Sequence, residues 1–302
     1  MMFASVYRAK ARAALRNHWQ AALIIALIVN LPSLLVQGIS AFTGNDFTLR
    51  LYSMAMDLSA SGKAVSRSDL LSGLSGLLQD TGLMTMVGLG IAAWLVTPCL
   101  SLGMNHWALE RLRGKEQPVS AVFSRLGIFL KSIGLRLWIA LKVLLWMLPG
   151  AAVALASLIP ILDAEGKSEA ELLSAVNTGF SLINIGTFLM LGLGVFGYLH
   201  YTLADLILAD EPEERILACT RRSSQMMAGR KGALLSLLLS FILWYFLLLL
   251  VTSFLEDIVG PVFGLMLQML GSLTLSVYVL LSEGAFYESL RLQPVQVPSE
   301  VA

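Results

Sequence analysis

Six long apolar stretches dominate the chain, at residues 20–42, 84–107, 137–162, 182–206, 232–254 and 258–281. Each is long enough to cross a bilayer, because a hydrocarbon core about 30 Å thick takes roughly 20 helical residues at 1.5 Å of rise each. The last two are separated by Glu256–Asp257, which predicts a tight turn and an antiparallel hairpin. The pattern therefore predicts an all-α, polytopic membrane helical bundle with six transmembrane helices in one integral domain over 1–302. The long connection, 44–80, carries Leu70, Leu71, Leu74, Leu77 and Leu78 at helical spacing behind Ser66 and Asp69, a capping-box pattern. A short helix is expected there.

Three further stretches, 3–17, 118–135 and 210–230, are amphipathic rather than apolar throughout. In the first, Val6, Ala9 and Ala13 share one helical face and Arg8, Arg12 and Arg16 the opposite one. In the second, Val119, Val122, Phe123, Leu126, Phe129, Leu130 and Ile133 follow the i, i+3, i+4, i+7 rule. In the third, Ile216, Cys219, Ser223, Met226 and Met227 repeat it. There Asp210 is placed to cap the helix with Glu213 three residues on, and acids precede Arg221, Arg222, Arg230 and Lys231 as the helix dipole favours. Each stretch leads into a span with a tryptophan nearby (Trp19, Trp138, Trp244), which suggests a triplicated helix–span–span plan.

Composition sharpens the class. Hydrophobic residues make up 57% of the 302 and charged residues only 14%, both far from soluble-domain values. A net charge of +1 gives no global field for nucleic acid, so none is expected as a partner. Of the 21 basic residues only Arg50, Lys63, Arg67 and Lys167 fall outside the N-terminal segment, the second and fourth connections with their flanks, and the tail. By the positive-inside rule both termini are cytoplasmic. The first span is too long for a cleaved signal and reads as a retained anchor. Cys99 and Cys219 fall in a span and on the cytoplasmic side, so no disulfide framework is expected.

Ionisable groups near membrane depth are the candidate chemistry. His18, His106 and His200 fall at the inner-leaflet level, as do Glu110, Asp205 and Glu283. A cluster of His106, His200, Asp205 and Glu283 would suit proton relay or metal binding, though the spacing matches no metal motif; the plainer reading is a polar interface. Pro32, Pro149 and Gly150 mark kinks, and Asn30, Gln37 and Gln268 are deeper hydrogen-bonding groups. The G-x-G-x-x-G run at Gly192–Gly197 lies inside an apolar span, where it suits close helix approach rather than a nucleotide. No catalytic motif stands out, and no cofactor or metal site is expected.

The run Ile207-Leu208-Ala209-Asp210-Glu211-Pro212 is similar to a signature of the bacterial membrane-protein family catalogued as domain of unknown function 975. Ser223 or Ser224, Met227, Gly229, Lys231, the Leu239-Ser240-Phe241 and Trp244 block, Pro149-Gly150 and Phe286-Tyr287 also fit. The resemblance covers nearly the whole chain and implies a six-span protein of the bacterial cell membrane, without catalytic residues to transfer. The expected function is a non-enzymatic membrane component that binds partners or organises the envelope, with anionic inner-leaflet lipids and another membrane protein as partners. A permease for lipid-like or small apolar cargo is the alternative, and an intramembrane enzyme using the His/acid layer the third reading.

Overall fold

The computed structural model describes residues 4–43, 75–76, 79–157, 159–160 and 168–292. Most of the 44–80 connection, with the helix read around 66–78, lies outside them. Among the described residues the fold is helical without strands, and six helices are long and apolar enough to cross a membrane. In chain order the helices are α1 (Ala4–Leu15), α2 (Trp19–Thr43), α3 (Thr81–Leu112), a 3₁₀ segment (Val119–Ile128), α4 (Phe129–Ala156), α5 (Glu169–Tyr201), α6 (Ala204–Asp210), α7 (Ile216–Met226), α8 (Lys231–Val259) and α9 (Pro261–Arg291).

Local chemistry explains several boundaries. The Asp80 carboxylate accepts from the Leu83 N–H at 3.0 Å and starts α3. At α5 the Glu171 carboxylate accepts from the Ser168 N–H at 3.0 Å and its hydroxyl at 2.8 Å. This start lies well before the span read at 182–206. With 33 residues, α5 is roughly 50 Å long and exceeds the hydrocarbon thickness. Its far end breaks at Thr202–Leu203, so 204–206 belongs to the start of α6. The final hairpin turns at Gly260 rather than Glu256–Asp257: the Gly260 N–H closes on the Glu256 carbonyl at 3.0 Å. Its φ of +113° suits glycine, and Pro261 then occupies the first turn of α9.

The amphipathic stretches differ from their predicted faces. α1 buries Tyr7, Ala11 and Leu15, not the Val6/Ala9/Ala13 face, because Tyr7 packs edge-on against Phe286 at 5.3 Å. A large aromatic contributes far more burial than an alanine stripe. Residues 119–128 wind as 3₁₀ rather than α, burying Ala121 and Val122 and leaving Phe123, Leu126, Phe129 and Leu130 exposed. The cause is close packing, since the Val122 backbone sits directly against Gly103 of α3, where no Cβ fits. α7 matches its expected face, with Cys219, Ser223 and Met227 buried.

The order short element, long helix, long helix occurs three times, and the short elements are exchanged around a ring. α1 packs mainly on α9, the 3₁₀ segment on α3, and α7 on the short α6 that precedes it and on α4 and α5. Each thus lies against the long helices of the preceding unit, with the first closing onto the last. Two apolar cores result, one around Leu203, Ile207, Phe241 and Tyr287 and one around Leu15, Ile25, Trp107 and Leu281. Both lie toward the end of the bundle where the short elements gather, here called the charged end. The long helices pair as α2 with α3, α4 with α5 and α8 with α9.

Glycine decides the α4–α5 pair. Along α5, Gly179, Gly186, Gly194 and Gly197 are buried while most of the large side chains point away. Gly186 abuts the Ala154 backbone, Gly194 the Met147 side chain and Gly197 the Trp146 ring, and Gly150 of α4 abuts the Met190 backbone. The glycine run therefore serves helix approach, the usual role of small residues between membrane helices.

Candidate functional site

The residues with most chemistry gather at the charged end, around the end of α6. Arg113, one residue past α3, grips Asp210 with both terminal nitrogens at 2.8 and 2.9 Å. It also donates to Glu110 at 3.1 Å and to Glu288 of α9 at 3.0 and 2.6 Å. Lys115 completes Glu110 at 2.8 Å, while Tyr287 donates to Asp210 at 3.2 Å and Arg291 pairs with it at 3.4 Å. Three carboxylates meet three cations. The Asp210 side chain is 6% exposed and Arg113 21%. The bond to Asp210, and then that to Glu288, hold the Arg113 guanidinium charged beyond its ordinary range.

Asp210 was expected to cap the third amphipathic helix. It ends α6 instead, and the residue preceding α7 is Arg215. Glu213 is exposed and completes no capping box. The reason is competition: a carboxylate held by a bidentate guanidinium gains more than one bonded to a helix-end N–H. The neighbours of Asp210 are held as well. Glu211 accepts from Arg222 at 2.7 Å, which raises the Arg222 pKa, and the Pro212 carbonyl accepts from Lys131 of α4 at 2.9 Å. The run 207–212 is thus a knot tied to α3, α4, α7 and α9. Arg113, Glu288 and Arg291 carry it, and sequence reading counted them only as charges. The signal present was their position at the ends of apolar spans.

A second polar group lies deeper. Arg136 of α4 meets Asp205 at 3.4 Å and the Ser101 hydroxyl at 3.4 Å, and its Nε has no partner among the described residues. Glu283 lies on α9, half-buried. Arg136 also borders a cleft of about 310 Å³ between α2 and α3, lined by Ser33, Gln37, Thr97 and Pro98.

The histidines do not join this group. The His200 ring lies along Trp146 at 5.5 Å, with Nδ1 on the Phe196 carbonyl at 2.9 Å and Nε2 against the Lys231 ammonium. Both nitrogens are occupied, and Lys231 also lies 4.2 Å from the Phe196 ring. His106 meets Arg125 at 3.0 Å. A relay through His200, Asp205 and Glu283 therefore has no direct connection. Among the described residues, no three His, Cys, Asp or Glu side chains are grouped to hold a metal ion. Arg221 is exposed on α7, and Arg230 precedes α8. Of the deeper groups, Thr252 donates to Gln268 across α8 and α9 at 2.9 Å. Asn30 instead bonds the Ala26 carbonyl in its own helix at 2.8 Å. Pro32 and Pro149 lie inside α2 and α4.

A model of the family described as protein of unknown function DUF975 matches residues 2–293. No curated protein and no solved structure matches the chain.

Proposed function

We propose, from the premise that the chain belongs to the DUF975 family of proteins of unknown function, that it is a non-enzymatic membrane component that binds partner proteins through its spans. The observation that carries this reading is the distribution of packing. The helix pairs are pinned together at the charged end, whereas on α8 no residue from 242 to 251 is buried. Leu243, Trp244 and Phe246 there present a continuous apolar and aromatic face. A photoreactive amino acid at Leu243, 71% exposed, tests it in native membranes. A protein adduct of discrete mass supports the reading, and adducts with lipid alone overturn it.

A second reading, binding of lipid-like cargo, is favoured by the cleft beside Pro98 that reaches Arg136. An anionic head could meet the guanidinium while its chains lie between α2 and α3. Flux of labelled lipid in vesicles, abolished by Arg136→Gln, would support it; flux equal to protein-free vesicles would exclude it.

The basic residues at the charged end favour its facing the cytoplasm of a bacterial cell, with both termini inside. Arg221 and Arg230, near the boundary, are then suited to anionic inner-leaflet lipids. Reporter fusions at the C-terminus test the orientation.

A further inference from the structure

Between α1, the turn that follows it and the ends of α3 and α9 lies a cavity of about 670 Å³ with a mainly cationic polar lining. Among the described lining residues, Lys10, Arg16, His18, Arg111 and Arg113 stand with two acids, Glu116 and Glu288. Arg113 and Glu288 bind each other at 2.6 Å and belong to the knot described above. Lys10, Arg16 and Arg111 remain against Glu116, and none of these four has an ion pair among the described residues. Arg111 reaches only the Lys115 carbonyl, at 3.4 Å, and its buried Nε has no partner among the described residues.

A donor buried without an acceptor is destabilising, and an anion in this cavity would satisfy it and offset the unpaired positive charge of Lys10, Arg16 and Arg111 together. Arg111 and Arg113 have a structural reason to stand where they do, since cations offset the negative end of the α3 dipole. Arg16, one residue past α1, offsets the dipole of that helix in the same way, but Lys10 stands in the middle of α1, where no helix end explains it. The cavity is also of the size that holds small organic ligands.

We infer that this cavity binds a phosphate monoester. The surplus of two positive charges matches its dianion, and the fork of Arg111 suits phosphate oxygens. The site goes beyond partner binding by the spans and shares no residue with that surface. Because Trp19, the first residue of the membrane helix α2, follows His18 directly, the phosphate can come from a lipid head group or from a soluble molecule.

The test uses the full chain in phosphatidylcholine nanodiscs. One arm titrates glycerol 3-phosphate by calorimetry, with glycerol as the blank. The other adds phosphatidic acid to the nanodisc and counts retained lipid by native mass spectrometry. Saturable binding in the first arm assigns a soluble ligand, and retention in the second alone assigns a lipid. In either case Lys10→Gln combined with Arg111→Gln should weaken binding about tenfold or more, while Arg215→Gln, exposed just before α7 and away from the cavity, should leave it unchanged. Should the double variant fail to fold, Lys10→Gln alone, exposed on α1, should weaken binding in the same direction. No binding in both arms, or binding indifferent to these substitutions, overturns the inference.

Discussion

Replacing Asp210 with asparagine keeps the side-chain shape and removes one charge from the knot. In the native protein Arg113 is held by Asp210, Glu110 and Glu288, and Asp210 also takes Tyr287 and Arg291. Removing one partner of a buried pair costs about 3–5 kcal/mol, because the remaining charge is left without its counterion. Two features place Asp210→Asn near the lower end. Arg113 is 21% exposed, and Glu288 still pairs with it at 2.6 Å. We therefore expect a loss of about 3 kcal/mol, with the unfolding midpoint falling by roughly 5–10 °C if the size scaling of large domains holds. The assay is thermal unfolding in nanodiscs, followed by tryptophan fluorescence. Arg113→Gln and the double variant complete a cycle whose coupling should exceed about 1 kcal/mol. The comparison is Arg222→Gln, which breaks a pair with Glu211 whose side chains are 33% and 36% exposed. Such a pair contributes at most about 1 kcal/mol. If Asp210→Asn costs no more than Arg222→Gln, the knot is not what holds the charged end together.

Gly150→Ala should separate α4 from α5 and sharply reduce folded yield, since its methyl would overlap the Met190 backbone; Gly192→Ala, with open space around it, should be neutral or stabilising by up to about 1 kcal/mol. Size-exclusion profiles after mild solubilisation separate the two. Burial pushes the Cys219 thiol up to about 11 from an ordinary value of 9.0. The folded state thus holds this proton more tightly than the unfolded chain, and its contribution is complete below pH 9.0 and lost as pH rises toward about 11. The fall in unfolding midpoint over that interval should be smaller in Cys219→Ala. Thr252→Val removes the bond to Gln268 and should cost only about 0.6 kcal/mol, measured by the same unfolding assay. A loss several times larger would mean that this bond fixes the α8–α9 register.

Much was legible along the chain because it depends on neighbours in sequence. Apolar runs set the six long helices, since any backbone crossing a bilayer must satisfy its own hydrogen bonds. The glycines of α5 announced close helix approach, and Cys219, Ser223 and Met227 announced the buried face of α7. What could not be read is which helix meets which. Arg113 and Glu288 are 175 residues apart, and Arg113 and Asp210 are 97 apart. No periodicity connects them, so Asp210 looked like a local cap when its strongest partner was remote. The 119–128 segment carried an α pattern yet winds as 3₁₀ because the Val122 backbone meets Gly103. His200 looked ready to join Asp205, but Lys231 and the Phe196 carbonyl occupy both of its ring nitrogens. Local pattern determined which segments are helices and which of them are apolar enough to cross a membrane. The exchange of short elements around the ring decided where the charges meet, because a charge settles with whichever counterion the assembled fold places nearest.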